Sequence, residues 1–223
     1  MASFYGGSTQ VHMGPGPGLD PIRLAALRAA LLTGERLEIT DPGESEDYGV
    51  DWAEPAALTD NGLREPTEPW MWAGPARTVT GGSWGGCLEV IQQILMAGRF
   101  PSDVEVLAGG VLLLETSEEI IPAQGFRRLL RALGERGILA AVDGVLVARP
   151  PASNAEHRPA AAERAAYRAE QCDVVIELIG HYNPEAVICV GVPFGHTRPQ
   201  WILPYGGEIT VDGANRRVFA DYG

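Results

Sequence analysis

Short apolar runs alternating with helical periodicities predict an α/β fold with an antiparallel addition near the C-terminal end. Three observations carry this reading. Val111-Leu112-Leu113-Leu114, Val142–Ala148 and Ala186–Val192 are apolar runs bounded by turn residues, the pattern of buried strands. Between them, Pro122–Arg136 and Ala160–His181 read as helices, and strands alternating with helices favour a parallel sheet. Lastly, Glu208–Val211 and Arg217–Ala220 flank Asp212-Gly213-Ala214-Asn215, a hairpin signal.

Taken in order, residues 1–18 contain Gly14-Pro15-Gly16-Pro17-Gly18 and read as loop. Asp20 reads as a helix cap with Pro21 at the first helical position. Leu24, Leu27 and Leu31 continue that helix, and Gly34 closes it. From Glu38 to Arg77 the composition shifts to prolines and acids, with Trp52, Trp70 and Trp72 among them. A long irregular excursion in a compact domain is usually functional or disordered, and the tryptophans favour an ordered, functional loop. Gly81–Gly86 then reads as a glycine loop leading into a helix over Leu88–Met96. The run Val111–Leu114 ends in Glu115. The following helix carries Phe126, Leu129, Leu130 and Leu133 on one side and stops near Gly137. Pro150–Pro159 reads as a linker-like loop, and Pro184 bounds the last helix.

Composition narrows the function classes. At 223 residues with 45% hydrophobic content the chain can bury a real core. A net charge of −12 argues against a nucleic-acid backbone as partner. All 17 basic residues are arginine, so neither a P-loop nor an internal pyridoxal Schiff base can be built. Cys87, Cys172 and Cys189 lack CxxC spacing and read as reduced, mostly buried thiols. His12, His157, His181 and His196 show no HxxxH or HExxH pattern, so a zinc or haem site is not expected, and no other cofactor is expected either. With neither a membrane-length apolar run nor a signal peptide in sight, the expectation is a cytoplasmic protein without membrane partners.

Three constellations could carry chemistry. Gly81-Gly82-Ser83-Trp84-Gly85 formally matches a nucleophile elbow and, with Glu115 and His196, gives the order serine, acid, histidine. Only Arg77–Thr80, a weak strand candidate, precedes it, so a glycine loop is the favoured reading. Glu115-Thr116-Ser117-Glu118-Glu119 places a carboxylate directly after a buried strand, where it could orient an imidazole. Thr116 or Ser117 could equally cap the next turn. His196 lies in the glycine-bounded loop Gly191–Gln200 after a strand, where open α/β sheets bind ligands. Its local sequence leaves loop architecture and chemistry evenly balanced.

Several segments together resemble the LD-carboxypeptidases, and within them the microcin C immunity serine peptidases. They are Trp84-Gly85-Gly86-Cys87-Leu88-Glu89, Leu112–Glu119, Gly144–Pro150, and Phe194–Gln200 with Leu203-Pro204-Tyr205-Gly206-Gly207. Phe4-Tyr5-Gly6-Gly7 and Asp51-Trp52 look like the segments that precede these in the family. The resemblance implies a three-layer β/β/α swivelling domain of the LD-carboxypeptidase C-terminal type, carrying the long tryptophan-containing loop. It implies Glu115 as triad acid and His196 as general base, with no metal, and substrate contacts from Trp52, Trp84 and Cys87. The substrate would be a small peptide with an L,D-amide or a peptidyl-nucleotide, and a homodimer is a further expectation. Cys87 stands where the family has asparagine, and Pro151 where it has a basic residue after Arg149-Pro150. The resemblance begins where the family's serine-bearing N-terminal domain ends. Residues 1–37 are therefore expected to be a linker and helix remnant, and residues 38–223 the catalytic domain that supplies Glu and His. The nucleophile domain would act in cis or in trans, as in a fragment or a split enzyme. The same alignment demotes Ser83. A non-catalytic peptide- or nucleotide-binding module is the alternative.

Overall fold

The computed structural model describes residues 3–14, 16–99 and 103–223. Met1, Ala2 and Pro15 of the expected N-terminal loop lie outside these residues. The rest of that segment is not all loop. It holds strand β1 (Ser3–Tyr5) and a short helix α1 (Thr9–Met13), capped by Ser8, whose hydroxyl accepts from the Val11 amide at 3.2 Å. Helix α2 (Pro21–Arg28) begins where predicted, with Asp20 accepting from the Ile22 amide at 3.0 Å. It widens through a π turn at Ala29–Thr33 and ends at Gly34 in the left-handed region.

Strand β2 (Arg36–Ile39) precedes the excursion, which carries only brief elements. These are β3 (Glu44–Ser45), a 3-10 turn at Pro55–Leu58, β4 (Glu65–Pro66) and β5 (Met71–Ala73). Then follow β6 (Thr78–Cys87), α3 (Leu88–Met96), β7 (Val111–Glu115), α4 (Ala123–Glu135), α5 (Ile138–Ala141) and β8 (Gly144–Ala148). The chain closes with α6 (Ala161–Tyr182), β9 (Val187–Val192), β10 (Leu203–Tyr205), and the predicted hairpin of β11 (Glu208–Asp212) and β12 (Arg217–Asp221).

Eight strands form one mixed sheet in the order β2-β12-β11-β6-β7-β8-β9-β5, parallel from β6 through β9. Strand β6 corrects the expected glycine loop at Gly81–Gly86. Thr78–Gly82 pairs antiparallel with β11, and Ser83–Cys87 pairs parallel with β7. Glycine weakens strands in isolation. Here two neighbours supply the ladder, and the backbones approach so closely that a Cβ at Gly85 would lie 1.8 Å from the Leu113 carbonyl oxygen. Ser83 is buried in this strand, and its hydroxyl donates to the Pro204 carbonyl at 2.5 Å. The elbow geometry needed to expose it is absent.

The alternating faces of the central strands build two cores. Leu112, Leu114, Val145, Val147, Ile188 and Val190 pack under the helical layer of α3 to α6. Leu113, Leu146, Val187 and Cys189 face the other way, toward Phe194, Ile202 and Leu203 and the inner face of α2. A two-stranded sheet, β1 antiparallel to β10, completes that second side. The result is helices, a large sheet and a small sheet. All three cysteines are free, and burial pushes the Cys189 thiol well up. The parallel strands β6 to β9 end at Cys87, Glu115, Ala148 and Val192 on one side of the sheet, from which the loops after them spring.

Candidate active site

The last residue of β7 and the loop after β9 meet on that side of the sheet. Glu115 is fully buried and its Oε2 lies 2.6 Å from His196 Nδ1. Gly195 makes this approach feasible: its φ is +82°, and a Cβ there would sit 2.8 Å from Glu115 Oε2. The second carboxylate oxygen, Oε1, accepts a short hydrogen bond from the Tyr5 hydroxyl. The other face of the imidazole is also engaged, since Nε2 lies 3.2 Å from Oε2 of the exposed Glu118.

The Glu115 hydrogen bond is the main reason that the His196 imidazole is held above its ordinary 6.5. Burial opposes it, and the charges of Glu115, Glu118 and Glu89 add to it. A raised histidine stabilises the fold fully below the unfolded value, and that contribution fades as pH climbs through the folded value. Replacing Glu118 by glutamine is expected to lower the His196 midpoint toward 6.5, as followed by histidine NMR titration. An unchanged midpoint would remove Glu118 from the electrostatics of the site. For a base that must be neutral to accept a proton, the same variant moves the rising limb of a pH profile to lower pH.

Glu118 sits in a turn held from several sides. The Ser117 hydroxyl accepts from the Glu119 amide at 3.3 Å, which realises the capping alternative without involving Glu115. Glu89, in the first turn of α3, accepts from the Ser117 amide and hydroxyl at 3.0 and 2.9 Å. Asn154, from the predicted loop Pro150–Pro159, donates to the Glu118 carbonyl at 2.9 Å.

His196 opens onto a cleft of 580 Å³ lined by Asp47, Tyr48, Glu118, Asn154 and Arg198 among others. A second pocket of 330 Å³ shares Tyr48 and Arg198 and adds Asp51, Trp52 and Arg158. In it Arg158 lies 5.1 Å over the Tyr48 ring and Arg198 6.0 Å over the Trp52 ring. The excursion is stitched to the histidine loop by reciprocal Glu46–Arg198 backbone hydrogen bonds, both 2.8 Å. Beneath it, buried Asp47 accepts from Arg149 at 2.7 Å, from Arg168 at 2.6 and 2.7 Å, and from Ala152 and Ser153 at 3.0 and 2.8 Å. Glu68 bridges the same two arginines at 2.7 and 2.8 Å, and Glu65 pairs with Arg164.

Of the residues singled out from sequence, His196 and Trp52 line these connected clefts, and Glu115 stands buried behind His196, reaching the cleft only through it. Trp84 packs against the core on the helical side and lines neither cleft. Cys87 pairs across from Glu115 in the β6–β7 ladder and lies outside both clefts. Its thiol donates to Glu89 at 3.2 Å, and burial pushes its pKa up to about 12. Tyr5, Asp47, Glu118 and Arg198 were not singled out from sequence. Tyr5, Glu118 and Arg198 lie within segments that carry the family resemblance but were read there for other roles or none, and Asp47 meets the site through contacts that leave no local pattern. Among the described residues, no group of three or more His, Cys, Asp or Glu side chains could hold a metal, and no helix is long and apolar enough to cross a membrane.

The profile of the LD-carboxypeptidase C-terminal domain matches residues 80–211. Among curated proteins, none matches the chain by sequence. Similar solved structures include an MccF-like protein from Streptococcus pneumoniae in complex with AMP, with 23% identity and a TM-score of 0.80. That match covers 99% of this chain and 64% of the other. MccF in complex with glutamyl sulfamoyl guanosine gives 18% identity and a TM-score of 0.75, covering 99% and 61%. An MccF-like protein from Bacillus anthracis gives 16% and 0.70, covering 96% and 58%. These likenesses establish a shared fold, and the chain spans about three-fifths of the length of the structures it matches.

Proposed function

The chain belongs to the LD-carboxypeptidase family, and on that premise we propose that it is the Glu/His half of a serine peptidase acting on an amide next to a D-residue or a nucleotide-like group. The observation that carries this is the Glu115–His196 hydrogen bond opening onto the 580 Å³ cleft. Glu115 holds the Nδ1–H tautomer and stabilises the imidazolium, while Nε2 takes the proton of an attacking hydroxyl. Glu118 must swing away from Nε2 for that hydroxyl to approach.

The nucleophile is proposed to come from a serine-bearing domain, in cis or in trans. Each described serine is already engaged elsewhere. Ser3 donates to the Tyr205 carbonyl, Ser8 caps α1, and Ser45 pairs with Thr67. Ser83 donates to Pro204, Ser117 to Glu89, and Ser153 to Asp47. Residues 1–37 would then adjoin that domain while also packing, through β1 and α2, onto residues 38–223, the part that supplies Glu and His.

The two arginine–aromatic pairs of the 330 Å³ pocket favour the nucleotide branch, because a planar base stacks on rings and a phosphate pairs with guanidinium groups. The same pocket would serve a non-catalytic binding module, so catalysis and binding must be tested together. The chain alone is expected to leave aminoacyl sulfamoyl adenosine intact and to hydrolyse it when a serine-bearing family domain is added. That activity should vanish in His196→Ala. Titration with AMP should give a saturable tryptophan fluorescence change that Trp52→Phe abolishes. Saturable binding without reconstituted hydrolysis would favour the binding module, and turnover by the chain alone would sink the split arrangement.

A further inference from the structure

We propose that Tyr5 is a positioning residue for the Glu115–His196 pair, fixing the carboxylate so that one oxygen faces Nδ1; this rests on the peptidase reading given above. The buried carboxylate of Glu115 has two oxygens to satisfy. Oε2 serves His196, and Oε1 accepts from the Tyr5 hydroxyl. A buried carboxylate with an unmatched oxygen is costly and free to rotate toward other donors. Tyr5 removes both problems with one bond.

Three separate parts of the fold hold the phenol in place. Strand β1 pairs with β10, with Tyr5 opposite Leu203 and Phe4 opposite Pro204. The ring packs edge-on against Phe194, two residues before His196, with centroids 6.4 Å apart. On the remaining side stands Gly86, where a Cβ would come within 3.3 Å of the tyrosine ring. Strand, loop and glycine therefore leave the hydroxyl one direction, toward Glu115. Burial, and then the neighbouring Glu115 charge, push the phenol far above its ordinary value, so it remains a donor across the working pH range. The Tyr5 hydroxyl bonds the carboxylate, and its effect on His196 runs through it.

The titratable groups facing this pair are Tyr5 from β1, Cys87 from β6, Glu89 from α3 and Glu118 from the turn after β7. Histidine NMR on the 223-residue chain isolates the contribution of Tyr5. In Tyr5→Phe the ring and its packing remain and only the hydroxyl goes. The hydrogen-bonded Nδ1–H resonance of His196 is expected to weaken and the imidazole midpoint to fall, because a carboxylate free to rotate holds the imidazolium less well. A midpoint that rises instead, as an unshared carboxylate charge would produce, makes Tyr5 a charge-sharing donor and overturns the positioning role. Tyr222→Phe is the control. It deletes another buried hydroxyl, which donates to the Ile202 carbonyl at 2.5 Å, and should leave the His196 titration unmoved. If Tyr5→Phe does not fold, Tyr5→Leu, which also removes the hydroxyl and keeps an apolar side chain against Phe194, must move the midpoint in the same direction. In the reconstituted enzyme, Tyr5→Phe should lower kcat roughly tenfold with KM unchanged. An identical His196 titration in wild type and Tyr5→Phe would overturn the proposal and leave Tyr5 a packing residue. The NMR readout does not depend on turnover: a lowered midpoint with a weakened Nδ1–H resonance upholds the role of Tyr5 even if the peptidase reading fails.

Discussion

Replacing Asp47 by alanine is expected to cost about 3–5 kcal/mol of folding stability, the range for breaking a buried ion pair from one side. Arg149 and Arg168 are 3% and 6% exposed, and Asp47 is the carboxylate that both reach in the interior. Their remaining partner, Glu68, is 39% exposed and more strongly screened. The substitution also strands the Ala152 amide and the Ser153 hydroxyl. Burial alone would raise the Asp47 carboxyl, but Arg168 and Arg149 outweigh it and hold it below its ordinary 3.8. A depressed carboxyl stabilises the fold above its unfolded value and loses that contribution only as pH falls through the folded one. The urea-denaturation curves of wild type and Asp47→Ala should therefore stay far apart at neutral pH and converge only in strong acid. Asp47→Asn, which keeps the shape and one acceptor, should fall between them. A loss below about 1 kcal/mol at neutral pH would mean that Glu68 and solvent suffice for the two arginines.

The second large effect concerns chemistry. In the reconstituted enzyme, Glu115→Gln is expected to lower kcat by about 10⁴-fold, the scale seen when the acid of a Ser-His-Asp triad becomes an amide. The Tyr5 hydroxyl would continue to donate to the remaining carbonyl oxygen, leaving the new amide nitrogen facing Nδ1. An N–H donor there forces Nδ1 to accept, so the imidazole proton moves to Nε2, which then cannot take one from a nucleophile. In the chain by itself the His196 midpoint should drop as well, because its largest upward influence is gone. Single-turnover kinetics and histidine NMR read the two effects separately. Activity within tenfold of wild type would remove Glu115 from the reaction.

The strands that a sequence reading finds easily here are those buried on both faces. Strands β7, β8 and β9 are runs of Val, Leu and Ile between turn residues, and α6 matches its expected span to within a residue at each end. Strand β6 is the opposite case. Four of its ten residues are glycine, so no propensity announces it, and it is defined by a ladder on either side. The glycines that hide it are a condition of its existence, since Gly85 lies against the Leu113 carbonyl. Strand β1 and helix α1 are too short for periodicity and arise among glycines. Within the candidate site, Glu115 and His196 stand at strand ends, where a linear reading looks for chemistry, and the fold brings them together. Asp47 and Arg168 are 121 positions apart, and Tyr5 and Glu115 are 110 apart. Such pairs have no local signal, and only the closed fold reveals that an acid in a proline-rich stretch is buried beside two arginines.

The small β1–β10 sheet joins only three residues on each strand, far fewer than the eight-stranded sheet beside it. Short, two-stranded elements open at a fraction of the free energy needed for global unfolding. Whenever β1 lifts away, Tyr5 leaves Glu115, while the rest of the molecule stays native. The share of molecules with an aligned carboxylate is thus a docking equilibrium of one strand, with each 1.4 kcal/mol changing it about tenfold. Two variants of equal melting temperature can then differ widely in competence, according to how often a three-residue strand is seated.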